Sequence, residues 1–292
     1  MKELVILSGK GGTGKTSLTA AFATLATGCL LCDADVDAAD LHLLMQPDIR
    51  KRTDFQGGGV AVIDPQRCTE CGTCIEMCRW AAIGPDFIVD EIGCEGCGVC
   101  VDFCPEQAID FPVKTCGQWF ISDTRFGPMV HARLGIAEEN SGKLVALVRQ
   151  QARQLAEERG LDLILTDGPP GVGCPVIASV GGATSVVIVA EPTISGIHDM
   201  ARAIELCRHF NVPVMVCINK SDLNLDNSAT IERMAREGGL PVVGRVPFDQ
   251  AFTRAMVQGK TLLEYDGTGP AGVHLRQVWE SILNISAMRA EK

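Results

Sequence analysis

The chain has 292 residues, 46% of them hydrophobic, a formal net charge of -10 and a pI near 5.0, which suits one large domain with an insertion, or two domains. The acidic balance speaks against non-specific nucleic-acid binding. No apolar run approaches the roughly 20 residues of a membrane span, and no basic segment leads into a hydrophobic one, so a cytoplasmic protein without stable membrane insertion is expected.

The first element is an apolar run, Leu4-Val5-Ile6-Leu7, followed by Ser8-Gly9-Lys10-Gly11-Gly12-Thr13-Gly14-Lys15-Thr16 and then by a helical stretch from Ser17 to Leu25. Strand, glycine-rich loop and helix form the setting of a phosphate-binding P-loop. Gly11, Gly12, Thr13 and Gly14 let backbone amides turn inward around phosphate oxygens, with Ser17 opening the helix. Lys15 adds a point charge, and Thr16 offers its hydroxyl to Mg²⁺. A second lysine, Lys10, stands just after the first glycine.

A second buried strand, Cys29 to Asp33, ends in Asp33-Ala34-Asp35-Val36-Asp37. Loops at the carboxyl ends of parallel strands are where ligands bind. Asp35 is placed to act on water, directly or through Mg²⁺.

From about Gly57 to Val113 the α/β pattern is interrupted. Fourteen cysteines are present in all, and eight of them fall here, in two runs offset by 26 residues. The first is Cys68-x-x-Cys71-x-x-Cys74-x-x-x-Cys78. The second is Cys94-x-x-Cys97-x-x-Cys100-x-x-x-Cys104-Pro105. This is the bacterial ferredoxin spacing, in which the fourth cysteine of each run serves the other cluster. It pairs Cys68, Cys71, Cys74 and Cys104 on one [4Fe–4S], and Cys94, Cys97, Cys100 and Cys78 on the other. Zinc sites more often take two separated pairs. Arg79 stands where the second run has Pro105.

The main pattern resumes with a strand at Trp119–Ser122 and a helix from Gly142 to Arg159. Leu161–Thr166 is a buried strand leading to Asp167-Gly168-Pro169-Pro170-Gly171. An aspartate at that strand end suits Mg²⁺ held through water. Strands at Ser185–Ala190, Val212–Ile218 and Leu240–Val246 alternate with helices at Ser195–Phe210 and Asn227–Glu237. The alternation predicts a doubly wound, mostly parallel sheet. Asn219 and Pro247 close two of these strands and are candidates to contact a base, and Asn219-x-x-Asp222 leaves guanine open beside adenine. A last helix, Val273–Ala287, is expected to pack on the sheet, and the five histidines show no ligand spacing.

Lys10-Gly11-Gly12-Thr13-Gly14-Lys15-Thr16, Asp33-Ala34-Asp35 and Asp167-Gly168-Pro169-Pro170-Gly171 resemble the deviant Walker A, switch I and switch II segments of the MinD/ParA/Mrp-type ATPases, a superfamily that includes the nitrogenase iron protein. The cysteine-rich stretch between the switches looks like the inserted ferredoxin domain of two-cluster MinD-like proteins. The resemblance implies an α/β P-loop fold over residues 1–56 and 116–292, with the insertion at 57–115. It also implies an ATP-sandwich homodimer in which Lys10 reaches the phosphates held by the other subunit, Asp35 orients the attacking water and Asp167 supports Mg²⁺. The implied cofactors are ATP, Mg²⁺ and two [4Fe–4S] clusters.

Cys174 lies seven residues after Asp167, where the nitrogenase iron protein ligates its bridging cluster, but the stretch Glu139-Asn140-Ser141-Gly142-Lys143 has no second cysteine, so a buried or free thiol is expected. Cys29, Cys32, Cys207 and Cys217 read as core residues. The leading functional expectation is an ATPase that couples nucleotide-driven dimer rearrangement to electron transfer toward a redox partner. A cluster carrier that serves an acceptor protein, and a MinD-like switch with sensory clusters, are the alternatives.

Overall fold

The computed structural model describes residues 1–135, 141–285 and 288. The chain divides into two compact units, Met1–Arg52 with Trp119–Arg133 and Ser141–Lys292, and Thr53–Gln118 with Leu134–Asn140.

In the first unit β1 (Lys2–Ser8) leads through the glycine loop into α1 (Lys15–Leu25), followed by β2 (Cys29–Asp33) and α2 (Leu41–Met45). The chain leaves along β3 (Asp48–Gly59). The second unit holds β4 (Val62–Ile63), α3 (Thr73–Met77), α4 (Val99–Asp102) and β5 (Ile109–Asp110). The return is along β6 (Val113–Thr124), and a two-residue turn gives β7 (Gly127–Leu134). Then come α5 (Ser141–Arg159), β8 (Leu163–Pro170), α6 (Cys174–Val180), β9 (Ser185–Ala190) and α7 (Ile194–His209). The chain continues with β10 (Val214–Asn219), α8 (Leu225–Glu237), β11 (Val242–Val246), α9 (Ala251–Val257), α10 (Leu262–Asp266) and α11 (Pro270–Asn284).

Nine strands form one sheet in the order β11-β10-β9-β1-β8-β2-β7-β6-β3. The pairs from β11 through β9, β1, β8 and β2 to β7 are parallel. Each parallel step needs a crossover, and the crossing helices cover both faces. Along β1, Leu4 and Ile6 point into a core shared with α1, α10 and α11, whereas Val5 and Leu7 point into one shared with α6, α7 and α8. Burial on both faces explains why the central strands read as unbroken apolar runs. Buried Glu3 accepts from Arg149, Arg153 and Thr166, tying α5 to the start of β1.

Several elements depart from the sequence reading. The Trp119–Ser122 strand extends over all of β6, and β3, β7 and α6 were not foreseen. β3 is the last strand of the order, and its Asp48-Ile49-Arg50-Lys51-Arg52 stretch is exposed, so no apolar alternation marks it. The charges suit an edge, because they discourage pairing with another chain. The last helix begins three residues earlier than expected and ends at Asn284; Ala287, like Glu139 and Asn140, lies outside the described residues. His131 is buried and shares a 2.8 Å hydrogen bond with Ser122, and burial holds its imidazole down to about 4. That agrees with a structural role.

In the second unit, β4 and β5 pair antiparallel, and Ala61, Cys74, Ile83 and Ile109 form a small core. Its two halves repeat one design. Gly72 and Gly98 both adopt left-handed backbone, at φ 80° and 74°, and each starts a short helix that carries a cysteine, Cys74 or Cys100. Only glycine enters that region without strain, which is why a glycine stands at this point of each cysteine run.

Candidate functional site

The first site is at the carboxyl ends of β1, β2 and β8. The sheet register sets Asp167 opposite Ile6 on one side and opposite Asp33 on the other. The glycine loop wraps over these ends, with Gly12 and Gly14 in left-handed conformations. A Cβ on Gly14 would collide with the Asn219 amide, so packing as well as backbone freedom requires glycine there.

Lys15 begins α1 and is only 6% exposed. Its ammonium lies 3.0 Å from Asp167 Oδ1 and 3.2 Å from Asp35 Oδ2. Thr16 donates its hydroxyl to Asp167 Oδ2 at 2.7 Å. Thr19, one turn further along and not singled out in the sequence, lies 3.1 Å from Asp167 Oδ1. Burial pulls the Lys15 ammonium down, but the Asp167 and Asp35 charges more than reverse this and hold it above its ordinary value. Burial pushes the Asp35 carboxyl up against the opposing pull of Lys15.

Asp33 is fully buried. Its Oδ1 accepts from the Asp35 N–H at 3.2 Å, and its Oδ2 has no partner among the described residues. Burial, and then the Asp167 charge, drives its carboxyl well above the usual range. A raised carboxyl contributes stability that is present below the unfolded-state pKa and lost as pH climbs through the folded-state value. Asp33→Asn is therefore expected to stabilise the nucleotide-free protein at neutral pH by roughly 1–3 kcal/mol. It should also flatten the fall in stability above about pH 4. Urea unfolding across pH checks this, and a variant less stable at neutral pH would refute it.

Lys15, Thr16 and Asp35 line a cleft of about 430 Å³ that extends from the Gly11–Ser17 loop to Asp40, Leu43, Leu44 and Met256, with Asp33, Asp167 and Thr19 outside its lining. The donor set fits a nucleotide phosphate and Mg²⁺. A buried cation and the glycine loop line the cleft, the Thr16 hydroxyl adjoins the Asp167 carboxylate, and buried Thr13 Oγ1 lacks a partner among the described residues.

The base-contact candidates are arranged differently from expectation. Asn219 is buried, with Nδ2 donating 2.7 Å to the Thr13 carbonyl and Oδ1 left without a partner among the described residues. Asp222 Oδ1 accepts from the Phe248 N–H at 2.6 Å, which closes the loop containing Pro247. Pro247 is not among the residues lining the cleft.

Lys10 points away from Lys15. Its ammonium contacts Glu191 at 3.3 Å and the hydroxyls of Thr193 and Ser195 at 3.2 Å each. Glu191 also binds Lys220, which donates to the Gly12 carbonyl at 2.9 Å. Burial alone would raise Glu191, but Lys220 and Lys10 together hold it below its ordinary value. Glu191 and Lys220 thus support the loop from behind; Glu191 belongs to no recognisable motif, and Lys220 lies within Asn219-x-x-Asp222.

Arg125, in the β6–β7 turn, was also missed. Its guanidinium donates to the Leu44 and Met45 carbonyls at 2.7 and 3.0 Å, to the Gly259 carbonyl at 3.2 Å, and to both oxygens of Glu264. It therefore fixes the end of α2, which walls the cleft.

The second unit has its own site. Among the described residues, no three His, Cys, Asp or Glu side chains converge closely enough to hold a single metal ion. The thiols instead ring two cavities. Cys68, Cys71, Cys74 and Cys104 line one, and Cys78, Cys94, Cys97 and Cys100 line the other. The remote cysteine of each run has crossed to the opposite cavity. Backbone N–H groups of Ala82 and Ala108 donate to Cys78 and Cys104 sulfur at 3.4 and 3.3 Å, and Glu70 N–H donates to Cys68 sulfur at 3.4 Å. The Thr73 hydroxyl and N–H hold the Cys71 thiol below its usual range. Amide and hydroxyl donors aimed at sulfur suit thiolates that ligate iron, whose potential such bonds tune. The donor set fits a four-thiolate cluster in each cavity.

Cys174 is a free thiol exposed at the start of α6, the free rather than the buried of the two alternatives, while Cys29, Cys32, Cys207 and Cys217 are buried. Burial pushes Cys29 up to about 11 and Cys207 and Cys217 up to about 12, so these thiols stay protonated and inert.

Residues 4–262 match the family described as the CobQ/CobB/MinD/ParA nucleotide binding domain. The chain is 33% identical over 225 residues to an uncharacterized protein, MJ0578, of Methanocaldococcus jannaschii, covering 76% of this chain and 79% of that one. It is 24% identical over 278 residues to the cytosolic Fe-S cluster assembly factor cfd1 of Aspergillus oryzae, covering 90% and 79% respectively. Its fold is that of the septum site-determining protein MinD complexed with Mg-ADP from Pyrococcus horikoshii, with a TM-score of 0.62, 15% identity and coverage of 100% and 99%.

Proposed function

Because the chain belongs to the CobQ/CobB/MinD/ParA nucleotide-binding family, we propose that it binds and hydrolyses Mg-ATP as a homodimer and uses the change of nucleotide state to control electron transfer through two [4Fe–4S] clusters. The observation that carries this reading is the convergence of Lys15 and Thr16 on Asp167, in a chain that also gathers eight cysteines around two cavities.

Loop amides and Lys15 would hold the phosphates, and Thr16 with Asp167 would hold Mg²⁺, which supplies charge neutralisation at the phosphoryl oxygens. As Lys15 turns toward phosphate, Asp35 gives up its cation and is left as an acceptor from which a carboxylate orients water. Adenine suits the base site better than guanine. Asn219 Nδ2 and Asp222 Oδ1, the groups that a guanine-reading motif would present to the base, are committed within the protein.

Lys10 would act across the dimer, where a second cation stabilises the transferring phosphoryl group. Its present contacts do not oppose this. The lysine is about one-third exposed, and such pairs contribute only about 0–1 kcal/mol, so exchanging Glu191 for a partner's triphosphate costs little.

The cysteine cavities would hold the clusters through the crossed sets named above, and when bound the clusters supply reversible one-electron transfer. Redox titration of the anaerobically purified protein with and without ATP tests the coupling. The wild type is expected to change potential or spectrum with ATP, and Lys10→Ala is expected to bind ATP without that change. Potentials indifferent to nucleotide would defeat the reading.

The similarity to an Fe-S cluster assembly factor favours a second reading, cluster delivery. Rapid movement of iron and sulfide to an apo-ferredoxin, hastened by ATP, would select it instead.

A further inference from the structure

The net charge of the chain is concentrated in one place. Residues 53–118 carry eleven Asp or Glu against three Lys or Arg, which accounts for -8 of the total of -10. The other 226 residues carry 25 acidic and 23 basic side chains, so they are close to neutral.

The two cysteine cavities also have different rims. Around Cys68, Cys71, Cys74 and Cys104 the exposed lining residues besides Cys71 are Thr69, Pro105 and Glu106. Around Cys78, Cys94, Cys97 and Cys100 they are, besides Cys97, Met77, Trp80 and Phe111, at 41%, 57% and 36% exposure. The contrast falls on one pair of equivalent positions in the 26-residue repeat. Two residues after the crossing cysteine stands Trp80 in the first run and Glu106 in the second. The repeat has given one cavity a polar mouth and the other an apolar, aromatic one.

We infer that the Cys78/Cys94/Cys97/Cys100 cavity is the port at which a redox protein docks, seated on Trp80 with Met77 and Phe111, and that the docking face of that protein is positively charged. The inference rests on the reading that the cavities hold clusters. The physical case has two parts. A half-exposed Trp accompanied by exposed Met77 and Phe111 is the composition of an interface centre, which works by excluding water where groups must approach closely. An eleven-to-three excess of acid over residues 53–118, the segment that carries this centre, creates a field that captures a cationic partner and repels an anionic one. Glu70, Glu76, Asp86, Asp90, Glu91, Asp102 and Glu106 are all exposed on this unit and supply that field. Electron-transfer complexes are small and short-lived, so steering and one apolar anchor are enough.

The test is anaerobic stopped-flow kinetics with cytochrome c, a cationic protein, as the probe. The dithionite-reduced holoprotein passes one electron to ferric haem, which becomes ferrous, and the donor is oxidised by one electron. The second-order rate constant is expected to fall by about tenfold or more between about 20 and 300 mM salt. With fully succinylated, anionic cytochrome c it is expected to be slow and to rise with salt. Trp80→Ala should lower the rate with native cytochrome c about tenfold at unchanged iron content, Trp80→Phe should restore most of it, and Glu106→Gln should change it less than about threefold.

A Trp80→Ala protein with full iron and the wild-type rate would overturn the port. So would a rate that does not depend on salt, and so would dissociation of the homodimer by Trp80→Ala, which would make the patch a contact between copies. Iron, sulfide and the spectrum of the reduced protein are read on the same samples. A chain that binds no iron under anaerobic reconstitution overturns the cluster reading itself, and the port with it.

Discussion

Lys15→Ala is expected to reduce ATP turnover by about 10²–10³-fold, the loss seen when a single preorganised donor to a developing charge is removed. It is also expected to destabilise the nucleotide-free protein. Lys15 is 6% exposed and is the cation beside Asp35 and Asp167, which are themselves buried. Removing one member of such a group costs about 3–5 kcal/mol, because the charges left behind are buried without compensation. The size of the loss should depend on pH. Asp35 is already raised by burial and is restrained by Lys15. Without the lysine its folded-state pKa climbs further above the unfolded value, and stability is lost as pH rises through that window. The deficit of Lys15→Ala relative to wild type should therefore be larger at pH 8 than at pH 5. Urea denaturation at the two pH values, beside steady-state turnover, measures both effects. Equal deficits would show that the lysine does not neutralise these carboxylates.

The second large effect concerns the crossing of the cysteines. A chain with both clusters holds about eight iron atoms. Cys78→Ala should remove about four, and it should remove them from the cavity of Cys94, Cys97 and Cys100 rather than from that of its neighbours in sequence. Its spectrum and potential should therefore match those of Cys94→Ala. Cys104→Ala should match Cys68→Ala in the same way. Iron and sulfide analysis with low-temperature electron paramagnetic resonance distinguishes the pairings. If Cys78→Ala instead resembled Cys68→Ala, each run would be serving its own cavity.

The chemistry of the first site was legible because it sits on a contiguous motif. Ser8 to Thr16 must fold over the end of a strand whatever else the chain does, and Asp35 and Asp167 closely follow the unbroken apolar runs of β2 and β8, although β8 itself continues through Asp167 to Pro170. Burial on both faces makes β1, β2, β8, β9 and β10 conspicuous. β3 was hidden by the opposite circumstance: its exposed Arg50-Lys51-Arg52 stretch resembles a loop, because the apolar pattern that marks a strand comes from the face it buries. Asp33 was visible as a residue, but its depth was not. A carboxylate with an unpartnered oxygen beside another carboxylate is a tertiary fact.

Asn219 has a role inside the protein that its place in the sequence does not disclose. Its position at a strand end suggested the base, yet its Nδ2 holds the P-loop through the Thr13 carbonyl. Arg125 carried no signal at all. Three of its acceptors are backbone carbonyls, and the nearest of them lies 80 residues away along the chain. No residue type announces a hydrogen bond to a carbonyl.

Arg125 also has a topological meaning. The stretch from Gln46 to Thr124 is an excursion that departs one residue after Met45 and returns one residue before Arg125. Arg125 then grips the carbonyls of Leu44 and Met45, so the arginine at the end of the loop holds the residues at its beginning. The neck of the excursion is thereby made part of the cleft wall, because Leu44 lines the cleft. Free energy exchanged through such a neck obeys reciprocity. Whatever factor bound nucleotide imposes on events in the excursion, those events must return to nucleotide affinity unchanged.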